Sequence, residues 1–222
     1  MKGLPKIIYV MGAPGSGKGT QATLLTEKIG YHQFSTGSAF REVSHQPTEL
    51  GKKIKDLIDN GILCPPELAA EVVINAISDQ LKSGNGLVFD GTPRTVEESV
   101  IVDEYFAKNG YGRPLAIYLE VSREEMIARN SKRKFCLHVP KDFPVITPED
   151  EQKCVAQGGV VGTRPDDNPA TFTTRWNEFQ ERTYPVIEKY MKEGILQKVN
   201  GRPSIPEVHQ AVMNIINQHN AA

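Results

Sequence analysis

Gly12-Ala13-Pro14-Gly15-Ser16-Gly17-Lys18-Gly19-Thr20 is the stretch on which the reading of this chain turns. Gly12 to Lys18 has the Gly-x4-Gly-Lys spacing of a phosphate-binding loop. Ahead of it, Ile7-Ile8-Tyr9-Val10-Met11 is a continuous apolar run, the pattern of a parallel strand covered on both faces. Behind it, Lys18 to Ile29 reads as helix, with Gly30 placed to supply the left-handed residue after its end. Glycines let successive backbone N–H groups turn inward around a polyphosphate, the helix N-terminus adds partial positive charge, and Lys18 adds a full one. The glycines at 12, 15, 17 and 19 contain no Gly-x-Gly-x-x-Gly, which sets a dinucleotide fingerprint aside. One residue departs from the common loop: Gly19 follows Lys18 where a Ser or Thr usually ligates magnesium, and Thr20 comes one place later. Magnesium is therefore expected to be held mainly through water.

The strand and helix alternation returns further along. Gly86-Leu87-Val88-Phe89 reads as a strand ending at Asp90, and Leu115 to Val121 as another, with helical stretches between them. A parallel α/β sheet in three layers is the natural assembly, and Asp90 then lies at the carboxyl edge where such sheets bind ligands. Leu50, Ile54, Leu57 and Ile58 recur at helical spacing within Thr48 to Asn60, and Pro65-Pro66 opens a second helix. From about Lys134 to Gly162 the pattern gives way to Pro140, Pro144, Pro148 and paired Gly158-Gly159, which predicts an irregular or short-stranded insertion. Asn168 and Pro169 open a long helix kinked near Pro185. Leu196 to Val199 reads as a last strand and Pro206 to Gln218 as a last helix.

At 222 residues, with roughly 150 per domain as a guide, one large domain with insertions fits better than two equal ones. Hydrophobic residues at 39% and charged residues at 24% are ordinary for a globular chain. Lys+Arg 26 against Asp+Glu 27 leaves a net charge of -1, so an anion site must come from local placement of cations, and broad nucleic-acid coating is not expected. No run approaches the ~18 apolar residues of a membrane helix. The basic start, Met1 to Lys6, is signal-like, but the glycines from Gly12 onward interrupt any longer apolar region. Cys64, Cys136 and Cys154 are odd in number and widely spaced, which argues against a disulfide framework and for a reducing compartment, the cytoplasm.

Taken in order, the loop, Ser35-Thr36-Gly37, Asp90-Gly91-Thr92-Pro93-Arg94-Thr95 and Arg164-Pro165-Asp166-Asp167-Asn168 resemble the adenylate kinase family of nucleoside monophosphate kinases, in its long-lid form. Gly-Lys-Gly-Thr is the loop variant of those kinases, which accounts for Gly19. The resemblance implies an α/β fold: a three-layer P-loop NTPase core with a parallel sheet (1–34, 65–131 and 164–222), a helical NMP-binding insertion (35–64) and a lid (132–163). It implies reversible, Mg2+-dependent phosphoryl transfer, ATP + AMP = 2 ADP, with ATP and a nucleoside monophosphate as partners, no nucleic-acid or membrane partner, and a monomer. Closure over the nucleotides is chemically required, since water would otherwise take the phosphoryl group.

Phosphoryl transfer asks a protein for positioning and for positive charge on the equatorial oxygens, so arginines should dominate the site. Arg129 and Arg133 are four apart on a predicted helix and so share a face, and Arg175 lies eleven residues beyond Arg164, so cations from separate segments can converge. By resemblance, Gly15, Ser16, Gly17, Lys18, Gly19, Thr20, Arg129, Arg133 and Gly201 bind ATP, Arg129 by stacking on its adenine. Arg133, Arg164 and Arg175 bind the transferring phosphates, and Arg41 and Arg94 clamp the acceptor phosphate, for which bidentate guanidinium forks suit better than lysine. Thr36, Cys64, Gly91 and Glu98, with Arg164 and Arg175, complete the AMP site. The catalytic set is Lys18, Arg94, Arg133, Arg164, Arg175, Asp166 and Asp167, and Asp90 holds magnesium through water. Asp166 and Asp167 precede a helix, so a helix-dipole contact and an arginine-orienting role both stand. His32, His45, His209 and His219 read as structural or surface residues.

Departures mark where the resemblance is thinnest. Thr92 stands where the family has Phe, and Ser38 where it has Asp. Glu98 replaces a glutamine that reads the AMP base: a carboxylate meets adenine's amino group but not its acceptor N1, whereas guanine offers two donors. Metal-lid relatives carry two close ligand pairs. Here Val139 and Gln157 fill the partner places of Cys136 and Cys154, so a metal-free lid is expected over a Zn2+ site built from Cys136, His138, Asp150 and Cys154. Three other readings stand beside the AMP kinase: a kinase with GMP, UMP or CMP as acceptor, a catalytically silent nucleotide-binding regulator, and a P-loop hydrolase, which would need a positioned water-activating residue and for which no GTPase base-recognition motif appears.

Overall fold

The computed structural model describes residues 3–82, 85–139, 142–164 and 169–221. The apolar run is β1 (Ile7–Met11), buried along its whole length. The glycine-rich loop leads into α1 (Lys18–Ile29), and Gly30, at φ 72°, ends the helix by donating its N–H to Thr26 O. There follow β2 (His32–Ser35), α2 (Thr36–Ser44), α3 (Glu49–Asn60), α4 (Pro66–Lys82), β3 (Leu87–Asp90), α5 (Val96–Lys108), β4 (Leu115–Glu120) and α6 (Arg123–Lys132). Next come β5 (Lys134–Leu137), β6 (Phe143–Val145), α7 (Pro148–Ala156), β7 (Val160–Gly162), α8 (Pro169–Glu178), α9 (Tyr184–Lys192), β8 (Leu196–Asn200) and α10 (Ile205–Ala221).

Five strands form one parallel sheet in the order β2-β3-β1-β4-β8, with β1 between β3 and β4. Alternate residues of β1 serve opposite layers, as the two-residue period of a strand requires. Ile8 and Val10 join Leu25 of α1 and Val212 of α10 in one apolar cluster. Ile7, Tyr9 and Met11 join Val73 of α4, Phe106 of α5 and Tyr190 of α9 in the other. The sheet is thus covered by helices on both faces, the three-layer α/β arrangement expected.

Thr48 caps α3 by accepting from Gly51 N at 3.0 Å. Its Ile54 packs with Phe40 of α2 and Ala69 of α4 in a small separate cluster, so these helices share an apolar seam of their own. The kink before Pro185 takes a specific form: Phe179–Thr183 winds as π-helix between α8 and α9, which accommodates a residue that lacks an N–H and crowds the preceding turn. Asn168, expected to cap α8, lies outside the described residues.

The short strands expected in residues 134–162 are present, while the missed helix and the reading of the cysteines are corrected. The segment is an antiparallel sheet in the order β6-β5-β7, and it also contains a helix, α7, where no helical face was read. The helix is set by its start: Thr147 and Asp150 form a reciprocal capping box with Pro148 in the first turn. The second correction concerns sulfur. Cys136 of β5 and Cys154 of α7 are joined in a disulfide, both fully buried, and Cys64 is the free cysteine. Eighteen residues apart in sequence, they meet because α7 packs back on the sheet, which spacing alone does not reveal.

Candidate active site

At the carboxyl end of β1 the loop closes on itself, with Ser16 N donating to Ala13 O at 3.0 Å. Gly17, at φ 91°, turns the chain into α1, and Gly15, at φ +80°, lies where a Cβ would come within 2.3 Å of Asn130 Nδ2. Side chains are disfavoured at both. Asn130 of α6 donates to Pro14 O at 3.3 Å and to Met126 O at 3.1 Å, tying that helix to the loop. Ser16 Oγ is buried and has no hydrogen-bond partner among the described residues, a desolvated hydroxyl that a phosphate oxygen would satisfy.

A cleft of about 1040 Å³ opens above this loop. Every site residue expected from sequence and lying in the described segments lines it: Gly15 to Thr20, Thr36, Arg41, Cys64, Asp90, Gly91, Arg94, Glu98, Arg129, Arg133, Arg164, Arg175 and Gly201. Asp166 and Asp167 lie outside the described residues. Lys18 Nζ is 3.5 Å from Ala13 O. Burial pushes its ammonium down to about 8 against the pull of Asp90, and Arg94, Arg133 and Arg175 push the same way.

Asp90 ends β3, as read from sequence, with Oδ2 accepting from Ser35 Oγ at 3.4 Å. Its Oδ1 is buried without a hydrogen-bond partner among the described residues. A carboxylate oxygen so placed suits a hydrated divalent cation, and among the described residues no cluster of three His, Cys, Asp or Glu side chains forms a closed metal cage. The donors expected for zinc in residues 132–163 do not suit it: both sulfurs are bonded to each other, and Asp150 accepts from Ile146 N and Thr147 N.

Arg94 Nε donates to Gly91 O at 2.7 Å, while Thr183 Oγ1 donates to Arg94 O at 2.9 Å, so the backbone on both sides of this guanidinium is fixed. Glu98, 2% exposed, accepts the Arg94 N–H at 2.8 Å through Oε2, and its Oε1 is buried without a hydrogen-bond partner among the described residues. Burial pushes its carboxyl up to about 7, against Arg94, whose N–H and charge favour the anion. Thr92, the other departure, hydrogen-bonds Thr36 across the pocket, so a polar pair replaces the aromatic ring of the family pattern. Burial, with Glu98 nearby, raises the Cys64 thiol to about 11, which leaves it protonated and inert.

The arginines come from separate elements. Arg41 lies on α2 with its guanidinium against Gly37, where a Cβ would be 3.2 Å away. Arg129 of α6 is held by Glu125 at 2.6 Å and by Arg202 O at 3.1 Å. The expectation that Arg129 and Arg133 share one helical face is corrected: α6 ends at Lys132, and Arg133 is its extended C-cap at φ −69°, ψ 132°. Arg164 is paired with Asp142 at 3.6 Å. Asn130 and Thr183 belong to no spaced pattern and act through the fold, and Ser35, part of a quoted motif, has no role assigned from sequence.

A model described as adenylate kinase matches residues 10–195. The chain is 38% identical over 208 residues to the adenylate kinase of Thermosipho africanus, covering 93% of this chain and 97% of that one. It is 37% identical over 214 residues to the adenylate kinase of Agathobacter rectalis, covering 95% and 99%. To that of Thermosipho melanesiensis it is 37% identical over 211 residues, covering 94% and 98%.

Proposed function

The chain belongs to the adenylate kinase family, and from that premise we propose that its cleft carries out ATP + AMP = 2 ADP, reversibly, with the following division of labour. The loop from Gly15 to Thr20 cradles the triphosphate of ATP, with Lys18 and Ser16 meeting phosphate oxygens. Arg129, held flat by Glu125 and Arg202 O, stacks on the adenine of ATP beside Gly201. Arg41 and Arg94 hold the AMP phosphate, with Thr36, Cys64, Gly91 and Glu98 around the nucleoside. Arg133, Arg164 and Arg175 spread positive charge over the phosphoryl group as it passes in line between the two phosphates. Asp90 would hold Mg2+ through water, and the ion would supply charge neutralisation at the phosphates. The acceptor is already an anion, so no side chain need remove a proton.

Glu98 supports AMP as acceptor in a way a plain carboxylate does not. With its carboxyl raised to about 7 by burial, the neutral acid offers one donor and one acceptor, as an amide does, matching adenine N1 and its amino group. We assign 35–64 as the acceptor-binding unit and 132–163 as a metal-free lid, the remainder being the core. We take the protein to be a cytoplasmic monomer. No helix among the described residues is long and apolar enough to cross a membrane. The Cys136–Cys154 bond removes the cysteine argument for a reducing compartment, although full burial would shield it from small thiols.

The convergence of Lys18, Arg94, Arg133, Arg164 and Arg175 on one cleft carries this reading, since a simple binder needs no cations gathered for two phosphate chains. Mixing the protein with Mg-ATP and each nucleoside monophosphate in turn, and following ADP, tests it. AMP-dependent ADP formation is expected, abolished in Lys18→Met and Arg94→Ala without unfolding. Phosphate release without an acceptor would indicate a hydrolase, silence with every acceptor a regulator, and full turnover in both variants would overturn the site assignment.

A further inference from the structure

Both connections of the small antiparallel sheet carry an arginine. Arg133 caps α6 directly before β5, and Arg164 follows the end of β7 by two residues. The β5–β7 register pairs Phe135 with Gly162, and continuing it by two residues sets Arg133 opposite Arg164. Like charges facing each other across strands repel. What lies beside both is the Phe135 ring: Arg164 Cζ is 3.5 Å from its centroid and Arg133 Cζ 4.7 Å. The ring is 5% exposed, and its cross-strand partner Gly162 has no side chain to compete for its flank. A desolvated aromatic face attracts a guanidinium through its quadrupole, and the planar guanidinium stacks on it in a defined plane. Asp142 Oδ2, 3.6 Å from Arg164 Nε, holds the edge of one of the two cations.

We propose that Phe135 is a positioning residue for phosphoryl transfer: its buried ring holds Arg133 and Arg164 together, against their mutual repulsion, at the mouth of the cleft. The proposal rests on the reading that these two arginines face the transferring phosphates. Phe135 lines the cleft, and the role assigned to it is to carry the two arginines rather than the substrate. It acts by fixing where two cations stand before the nucleotides arrive, so that less reorganisation is left to the transition state. Being in β5, it also ties both guanidinium groups to the lid sheet and hence to its movement.

Phenylalanine carrying one, two or three ring fluorines, incorporated at 135, keeps the shape of the side chain while removing the negative potential of its face. Steady-state kinetics of the full chain should show kcat falling stepwise, on the order of tenfold across the series. KM for ATP and AMP should stay within about twofold, with the thermal midpoint unchanged, because binding and packing are preserved. Phe135→Leu should show the full loss and Phe135→Tyr should restore kcat. A flat kcat across the fluorinated series overturns the proposal, and so does a loss that tracks the thermal midpoint. Arg133→Lys and Arg164→Lys separate the two layers of the argument. If both keep full kcat, the reading of the arginines fails. If both lose it while fluorination has no effect, Phe135 alone is discounted.

Discussion

A Cβ on Gly19 would come within 3.0 Å of Asp90 Oδ2, so the absence of a side chain after Lys18 is what lets this carboxylate approach the first turn of α1. The missing hydroxyl at 19 and the carboxylate at 90 are one arrangement: on the proposed reading Asp90 would anchor Mg2+ through water in place of a direct ligand at 19. Gly19→Thr should displace Asp90 from Ser35, raising the Mg2+ concentration for half-maximal rate by roughly tenfold while leaving the fold intact. A magnesium titration of ADP formation, with circular dichroism as the control, measures it.

On the proposed reading, Glu98 should give the enzyme a pH-dependent acceptor preference. Its carboxyl is raised, so it is neutral and able to donate below about 7 and ionised, an acceptor only, above it. The ratio of kcat/KM for AMP to that for GMP should therefore fall as pH rises through 7, and Glu98→Gln should flatten it. Comparing two acceptors cancels ionisation of the phosphate itself. Among the described residues facing Glu98, burial lowers the Arg94 guanidinium from its high ordinary value, raises Cys64 to about 11, and lifts Tyr9 and Tyr190 well above theirs.

Lys18 should take up a proton when the triphosphate binds. Burial holds its pKa near 8 in the free protein, and the added phosphate charge favours the ammonium form. At pH 8, titration calorimetry in buffers of different ionisation enthalpy should register uptake of about half a proton on binding a non-hydrolysable ATP analogue. In Lys18→Met the uptake should vanish, although affinity falls as well.

The Cys136–Cys154 bond closes a span of 18 residues, for which loop-closure entropy predicts about 3 kcal/mol. Amides of β5, β6 and β7 should lose on the order of a hundredfold in exchange protection on going to the Cys136→Ser, Cys154→Ser double variant. Those of β1 should keep theirs, because the core clusters do not include the lid. Hydrogen exchange by mass spectrometry resolves the two regions.

Legibility followed locality. β1, the loop, α1 and its Gly30 terminus occupy one uninterrupted stretch, and their periodicity, spacing and backbone demands are written residue by residue. Asp90 was found because a strand ends on it. Residues 134–162 are harder to read: α7 has three acidic residues in its first turn and a buried Cys154, and the prolines and glycines around it mask a helix that its capping box sets. Arg129 and Arg133 were placed on one face because helical spacing extends past the point where α6 stops.

From the amino-acid order alone came the α/β alternation, the phosphate loop and the arginine-rich character of the site, because each depends on neighbours along the chain. Tertiary structure decided the rest: which cysteines meet, that Phe135 lies beside two arginines, that Asn130 grips the loop, and that Glu98 is desolvated. These depend on burial and on contacts between residues distant in sequence. Whether a carboxyl is neutral or two cations can stand side by side is set by what surrounds them in space, and no spacing rule records that.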